Sequence, residues 1–269
     1  MITRILTVVL LAVSVGMLGY LYNSIDTVIK TKEAIKSKEA ATTQALKLIR
    51  EAEIVYLSVN GKYTASWDTL RNFIQSGRVP IVDRHETIIQ KAYGGEEVKV
   101  TIDTLGFISA KDRIFKKNFT INAGDDGIFR GYKVKVGDNV VRNQRAFGIL
   151  TAGEREPREQ PFIEEGIVES LEKVNVGDQI TKGTTLVNYY NYAFDINTDI
   201  SRVGYKPGSD VMFEMFVGNI DKAGVKVQVI EVKDPSPDNP ARKESNEQKN
   251  RKPLRFGSRL DVSTAGNWE

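Results

Sequence analysis

The N-terminal 59 residues constrain this chain more than anything that follows. "ILTVVLLAVSVGMLGYLY", residues 5–22, runs for 18 residues without a charge. At ~1.5 Å per residue a helix of that length covers ~27 Å, close to the thickness of a bilayer core. Residues 23–59 then contain neither Pro nor Gly and are dominated by strong helix formers, Ala, Lys, Glu, Gln and Leu. The two stretches read as one helix: a transmembrane anchor at 1–22, contacting membrane lipid through 5–22, and a helical stalk at 23–59. Tyr20 and Tyr22 stand where an interfacial aromatic belt stands. The competing reading is a cleaved signal peptide with Ser14 and Gly16 at the cleavage site, but its apolar core is ordinarily only ~7–15 residues. Arg4 flanks one side of the run and Lys30, Lys32, Lys36 and Lys38 the other. A plain count of positive charges would keep the large domain in the cytoplasm. The short Arg-bearing N-terminus and the spacing of the lysines from the membrane favour a single-pass protein of the cytoplasmic membrane with a periplasmic C-terminal domain.

The stalk changes character halfway. Ile35 is the one large apolar residue in "KTKEAIKSKEAATTQA". From Ala45 a stripe appears at spacings of three and four: Ala45, Leu48, Ile49, Ala52, Val55, Tyr56 and Val59. The first half is expected in solvent, available for self-association or protein partners, and the second half packed on a domain. Asn60-Gly61 is a helix stop that tolerates left-handed backbone. Ser66 is an N-cap for a short second helix from Trp67 to about Gln75. Asn60, Gly61, Tyr63, Ser66 and Trp67 therefore form a structural joint.

The anchor, the amphipathic helix and "NGKYTASWDTL" together resemble the N-terminal architecture of type IV pilins and pseudopilins, although residues 5–22 lack the glutamate of those families. A second resemblance covers more of the chain. The stalk with "VNGKYTASWDTLRNFIQSGRVPIV", "DTLGFISAKDRIF" at 103–115 and the final "FGSRLDVSTAGNWE" is similar to uncharacterised single-span membrane proteins of Bacteroidota. That family implies the same order of parts but carries no assigned chemistry.

After Pro80 the pattern turns to period two. "EVKVTID" (97–103), "TLGFISAKDRIF", "VMFEMFVGNI" (211–220) and "GVKVQVIEV" (224–232) read as strands. They are expected to pair on the stalk in an α+β soluble domain of 60–118 and 209–232. Between them, 119–208 is a β-rich insert with two related pieces. Each has Lys-Val-x-Val-Gly-Asp with an apolar residue two places on, placing Gly137-Asp138 against Gly177-Asp178 as repeat turns. "VNVGDQITKGTTL" resembles half of a barrel-sandwich hybrid, as in lipoyl domains and efflux-pump adaptors. Lys222 in "NIDKAGVKV" invites comparison with a lipoyl lysine, yet no second barrel half follows it, so a plain hairpin turn is expected.

No catalytic, cofactor-binding or metal-ligating set emerges. The chain has no Cys, one His (His85, in a charged loop) and a net charge of +3, too mild to point to nucleic acid. Asp125 and Asp126 lack the spaced acids of a calcium loop. "GEREPREQPFIEEG" (153–166) reads as an exposed loop and 233–253 as a flexible linker. The tail 254–269 turns apolar again and places Trp268 to dock back or to contact a partner. The whole reads as a non-enzymatic structural or scaffold subunit of an envelope assembly, pseudopilin-like. A membrane-fusion-type adaptor using the β insert to oligomerise, and an envelope hydrolase, are the alternatives.

Overall fold

The computed structural model describes residues 2–90 and 96–269; the side chains of residues 2–9, 12, 84, 87, 89, 90, 96, 97 and 99 also lie outside the described set. It is an α+β structure in which one long helix, α1 (Ile2–Asn60), precedes several small antiparallel sheets. The chain divides into two compact units, one of residues 1–67 with 201–269 and one of 68–200. Among the described residues no helix is long and apolar enough to cross a membrane; the side chains of residues 5–9 and 12 of the 5–22 run lie outside that set.

In the first unit, the described side chains of α1 from Leu10 to Ala41 are almost all exposed, and the helix becomes one-sided from Thr42. Leu46, Leu48, Ile49, Ala52 and Val55 are buried, while Ala45, Tyr56 and Val59 are half-buried. Leu46 extends the expected stripe by one position. The sheet of this unit has the order β11 (Glu214–Lys222), β12 (Val225–Lys233), β13 (Arg255–Gly257). The β11–β12 hairpin closes at Asp221–Gly224, where Gly224 N–H donates to Asp221 Oδ1 at 2.9 Å and Ala223 and Gly224 take positive φ. Both faces of β12 are covered at its end: Val229, Ile230, Glu231 and Val232 are all buried.

The second unit opens with α2 (Trp67–Ser76) and a two-stranded sheet of β1 (Arg78–Gln90) and β2 (Glu96–Ser109). Here the structure departs from expectation. Residues 97–109 form one strand with a bulge at Leu105, and its partner is 78–90, not the 214–233 hairpin, so no single four-strand sheet forms on the stalk. "AKDRIF" is also not strand but α3 (Ala110–Phe115). Ser109 explains the switch: its hydroxyl accepts the Asp112 N–H at 2.9 Å and donates to the Asp112 carboxylate at 2.7 Å, capping a helix start.

The rest of this unit is a pair of four-stranded sheets built from two interlocked halves. The first half contributes β4 (Gly127–Tyr132), β5 (Asn139–Val140), β6 (Arg145–Leu150) and β7 (Arg158–Pro161). The second contributes β8 (Gly166–Leu171), β9 (Gln179–Ile180) and β10 (Thr185–Tyr192), with β3 (Lys116–Asn122) as its fourth strand. The sheet orders are β3-β10-β8-β5 and β7-β6-β4-β9, so each half lends its short strand to the other. The hydrogen bonds repeat one for one. Gly137 N–H donates to Val168 O and Val168 N–H to Asp138 O; Gly177 N–H donates to Phe129 O and Phe129 N–H to Asp178 O, all at 2.8–3.0 Å. The side chains fill the shared core unequally. Ala146, Phe147 and Ile149 occupy the places that Leu186, Val187 and Tyr189 occupy in the other half, and all six are buried. Small thus faces large across the repeat. Phe162 meets Tyr189 edge-on at 4.9 Å, which makes the expected 153–166 loop part strand and part core.

Gly127 and Gly166 are the matched tight points. A Cβ at Gly127 would stand 2.5 Å from Leu150 O, and one at Gly166 would stand 2.5 Å from Tyr190 O. Gly127→Ala and Gly166→Ala should each cost about 1–3 kcal/mol by overpacking. Urea denaturation of the two variants should give losses similar to each other. A loss at one position and none at the other would contradict the equivalence of the halves.

Candidate functional site

Gly61 N–H donates to Leu57 O at 2.8 Å and takes φ +69°, the left-handed helix end for which glycine is suited. Asn60 Nδ2 donates to Tyr56 O at 3.0 Å. Tyr63 N–H donates to Gln228 Oε1 of β12 at 2.6 Å. Ser66 directly precedes α2, and its N–H donates to Thr64 Oγ1 at 3.1 Å. Trp67 lies flat against Gly204, where a Cβ would come within 2.6 Å of the indole. Gly204 thereby makes room for the aromatic at the bend.

Sequence periodicity missed the polar centre of this corner. Glu53 is 0% exposed. One carboxyl oxygen accepts Thr64 N–H at 3.1 Å; the other has no hydrogen-bond partner among the described residues. Burial raises its pKa from 4.5 to about 8, opposed only in part by the Thr64 hydrogen bond. Burial, and then the charge of Glu53, also raise the Tyr63 phenol. A lone Glu on the buried side of an otherwise apolar stripe is the signal that could have found it.

The tail forms a clasp. Asn267 is buried; its Nδ2 donates to Pro253 O at 2.9 Å and Lys249 O at 3.1 Å, and its Oδ1 accepts Arg255 N–H at 3.0 Å. Trp268 is half-buried, stacked against the Gly266 backbone and 5.9 Å from the Arg50 guanidinium. Arg50 pairs with Glu269 at 2.6 Å, and that hydrogen bond holds the Glu269 carboxyl below the usual range. Trp268 thus rests on its own chain, against a residue of α1.

Residues 233–253 contain no α-helix, and no strand beyond the last residue of β12, yet charge ties them down. Lys206 is buried and pairs with Asp238 at 2.7 Å and Asp234 at 3.1 Å, with Ser236 O as a further acceptor. Burial works against the ammonium, but Asp238 and Asp234 outweigh it and hold its pKa above the ordinary lysine value. From α1, Lys38 reaches Asp238 at 3.6 Å and Glu39 pairs with Arg242. The expected flexible linker is therefore a loop fastened to the helix. It borders an open groove of about 650 Å³ lined by Glu231, Lys233, Lys249, Lys252, Arg255 and Arg259, among others. Glu231 binds Arg259 at 2.8 Å and Arg255 at 3.6 Å, so both guanidinia are engaged.

The remaining expected positions are structural. Gly137 and Gly177 take positive φ, and Asp138 and Asp178 each accept a backbone N–H, of Lys135 and Asn175, at 2.8 Å. Asp125 pairs with Arg158 at 3.0 Å and Asp126 accepts Lys182 N–H at 2.6 Å. Lys222 lies in the first unit and pairs with Asp261 at 3.1 Å. His85 is exposed, 3.2 Å from Asp83. Among the described residues no group of three or more His, Cys, Asp or Glu forms a metal-binding cluster.

No protein-family profile matches the chain, and no curated protein matches it. Among solved structures it is similar in part to a putative succinylglutamate desuccinylase/aspartoacylase family protein from Shewanella amazonensis. The likeness has a TM-score of 0.24 and 16% identity, covering 28% of this chain and 21% of that one.

Two measurements follow from the buried polar groups. Between pH 4.5 and 8 the folded chain holds a proton on Glu53 that the unfolded chain releases. Stability should therefore fall as pH rises through that window, by about 1.4 kcal/mol per pH unit. Glu53→Gln should flatten the slope in urea denaturation, and an unchanged slope would contradict the assignment. Lys206→Met leaves Asp234 buried without its cation and should cost about 3 kcal/mol or more by the same method.

Proposed function

We propose that the chain is a non-enzymatic structural subunit of an envelope assembly. It is anchored in the cytoplasmic membrane through residues 5–22, with pseudopilin-like N-terminal architecture and both folded units on the periplasmic side. One observation carries this reading. Leu10, Leu11, Val13, Val15, Met17 and Leu18 are 49–68% exposed; at 100° per residue they span about 200° of the circumference of α1, with Gly16 and Gly19 on the remaining side and no charge anywhere in 5–22. A helix apolar all round is stable only under lipid or protein cover. About two turns further on, Ile25, Val28 and Ile29 are exposed as well, on a helix tied by ion pairs to the 233–253 loop from Lys38 and Glu39. Such a stalk suits side-by-side assembly. An adaptor of the membrane-fusion type would carry a helical hairpin between its barrel halves; here residues 151–157 and β7 make that connection.

The test is fractionation of the full-length chain. It should sediment with membranes, resist alkaline carbonate and be released by detergent, and removal of residues 2–22 should free it into the soluble fraction. A C-terminal alkaline phosphatase fusion should be active and a GFP fusion dark. Recovery of the full-length chain in the soluble fraction, or a fluorescent GFP fusion, would overturn the reading.

A further inference from the structure

The groove beside the 233–253 loop carries more positive charge than its own acids neutralise. Five cations and three acids line its volume of about 650 Å³, and all three acids are paired. Glu231 takes Arg255 and Arg259, Glu244 takes Arg255, and Asp261 faces Lys222 outside the groove. Lys233 likewise pairs outside it, with Glu214 at 2.9 Å. Lys249 and Lys252 are left over: among the described residues neither ammonium meets a carboxylate or another hydrogen-bond acceptor. The Arg255 hydrogen bond holds the Glu244 carboxyl below its ordinary range, and Lys252 adds to that only through its charge.

These two lysines are held in place by their backbone. Lys249–Arg251 form a short 3-10 helical turn. The buried Asn267 donates to Lys249 O at 3.1 Å and to Lys252 O at 3.3 Å, and Arg242 donates to Lys252 O at 3.0 Å. Lys252 is half-buried. Further donors line the same space. Arg259 gives only its Nε to Glu231, at 2.8 Å, and lies over the Phe216 ring at 4.7 Å. Among the described residues its two Nη groups meet no acceptor. Ser258 and Ser263 accept the N–H groups of Leu260 and Ala265 at 3.1 and 3.2 Å, and among the described residues their hydroxyl protons go to no acceptor.

We propose that this groove binds the phosphoryl group of a small anionic ligand. The inference is independent of the assembly reading above. Every group left without a protein partner here is a donor, and most are cationic, so the missing partner is an anion rich in acceptor oxygens. A planar carboxylate is matched by a guanidinium fork, and the fork of Arg255 is already filled by Glu231 and Glu244. A phosphoryl group offers three acceptor oxygens out of one plane and a charge of about −1.5 to −2. Lysine ammoniums are compact point charges with rotatable donors and suit that shape. The volume also falls in the range of small-ligand sites, ~300–1,000 Å³, which leaves room for the rest of the molecule.

The test is isothermal titration calorimetry of the full-length chain in neutral detergent, with inorganic pyrophosphate as the probe, at ~0.15 M salt where diffuse charge effects are screened. Binding should be saturable. Lys249→Gln and Lys252→Gln should each weaken it about tenfold. Lys243→Gln, on the same loop but outside the groove, should leave it unchanged. Absence of saturable binding would overturn the site, and so would an equal loss in the Lys243 variant, which would mean a diffuse positive field. Succinate bound as tightly as pyrophosphate would overturn the phosphoryl assignment. A phosphoryl group reaches such a groove on a soluble molecule or on a lipid headgroup, and vesicles tell these apart. Pyrophosphate affinity about tenfold lower in phosphatidylglycerol than in phosphatidylcholine vesicles supports the site with a headgroup as its occupant. Equal affinity supports it with a soluble one.

Discussion

A helix without Pro or Gly from residue 23 to 59 cannot turn, and the rest of the first unit follows from where it finally does. Gly61 ends it in left-handed backbone, and everything that returns must dock on its last five turns. The return is fastened in three places. Tyr63 N–H reaches Gln228 of β12, Trp67 lies on Gly204, and Arg50 holds Glu269 and faces Trp268. Lys38 and Glu39 then bind the 233–253 loop one segment higher. The boundary between free and docked helix is therefore set by charge at Lys38–Glu39, a full turn before the apolar stripe begins to pack.

Glu53 sits inside this corner as a cost. A carboxyl with one unpartnered oxygen and no exposure opposes its own ionisation. Its remaining oxygen satisfies the Thr64 N–H, which would otherwise be a buried donor just past a helix end. The corner thus trades an ionisation penalty for a satisfied backbone, and its stability becomes linked to proton concentration.

Much of the local structure could be read from residues alone. The helix, its stop at Asn60-Gly61, the hairpin at Asp221–Gly224 and the matched turns at Gly137 and Gly177 depend on neighbours in sequence, and each carries a backbone signature. The misreadings share a different cause. "RVPIVDRHETIIQ" carries a Pro and mixed charges, and it becomes a strand because 96–109 pairs with it. Residues 233–253 are ordered by Lys206, which precedes Asp234 by nearly thirty residues, and a single cation leaves no periodic trace. The apolar residues of "AKDRIF" fit either period, and the Ser109 cap decides between them. Glu53 broke the stripe by polarity while obeying it in position.

The repeat explains why chemistry is hard to find in the second unit. Its turns use the acids that sequence singled out. Asp138 and Asp178 close their own turns, Asp126 closes on Lys182, and Asp125 holds Arg158. The two halves exchange short strands and answer Phe147 with Val187 and Ala146 with Leu186, while Thr151 Oγ1 and Glu159 Oε2 are buried without a hydrogen-bond partner among the described residues. The ribbon that precedes it differs: among the described residues its strands pair only with each other, and Val82, Ile88, Val98, Val100 and Ile102 are exposed. Burial is favourable by roughly 25 cal/mol per Å² of apolar surface, so these exposed aliphatic residues forgo stabilisation that the core of the repeat realises.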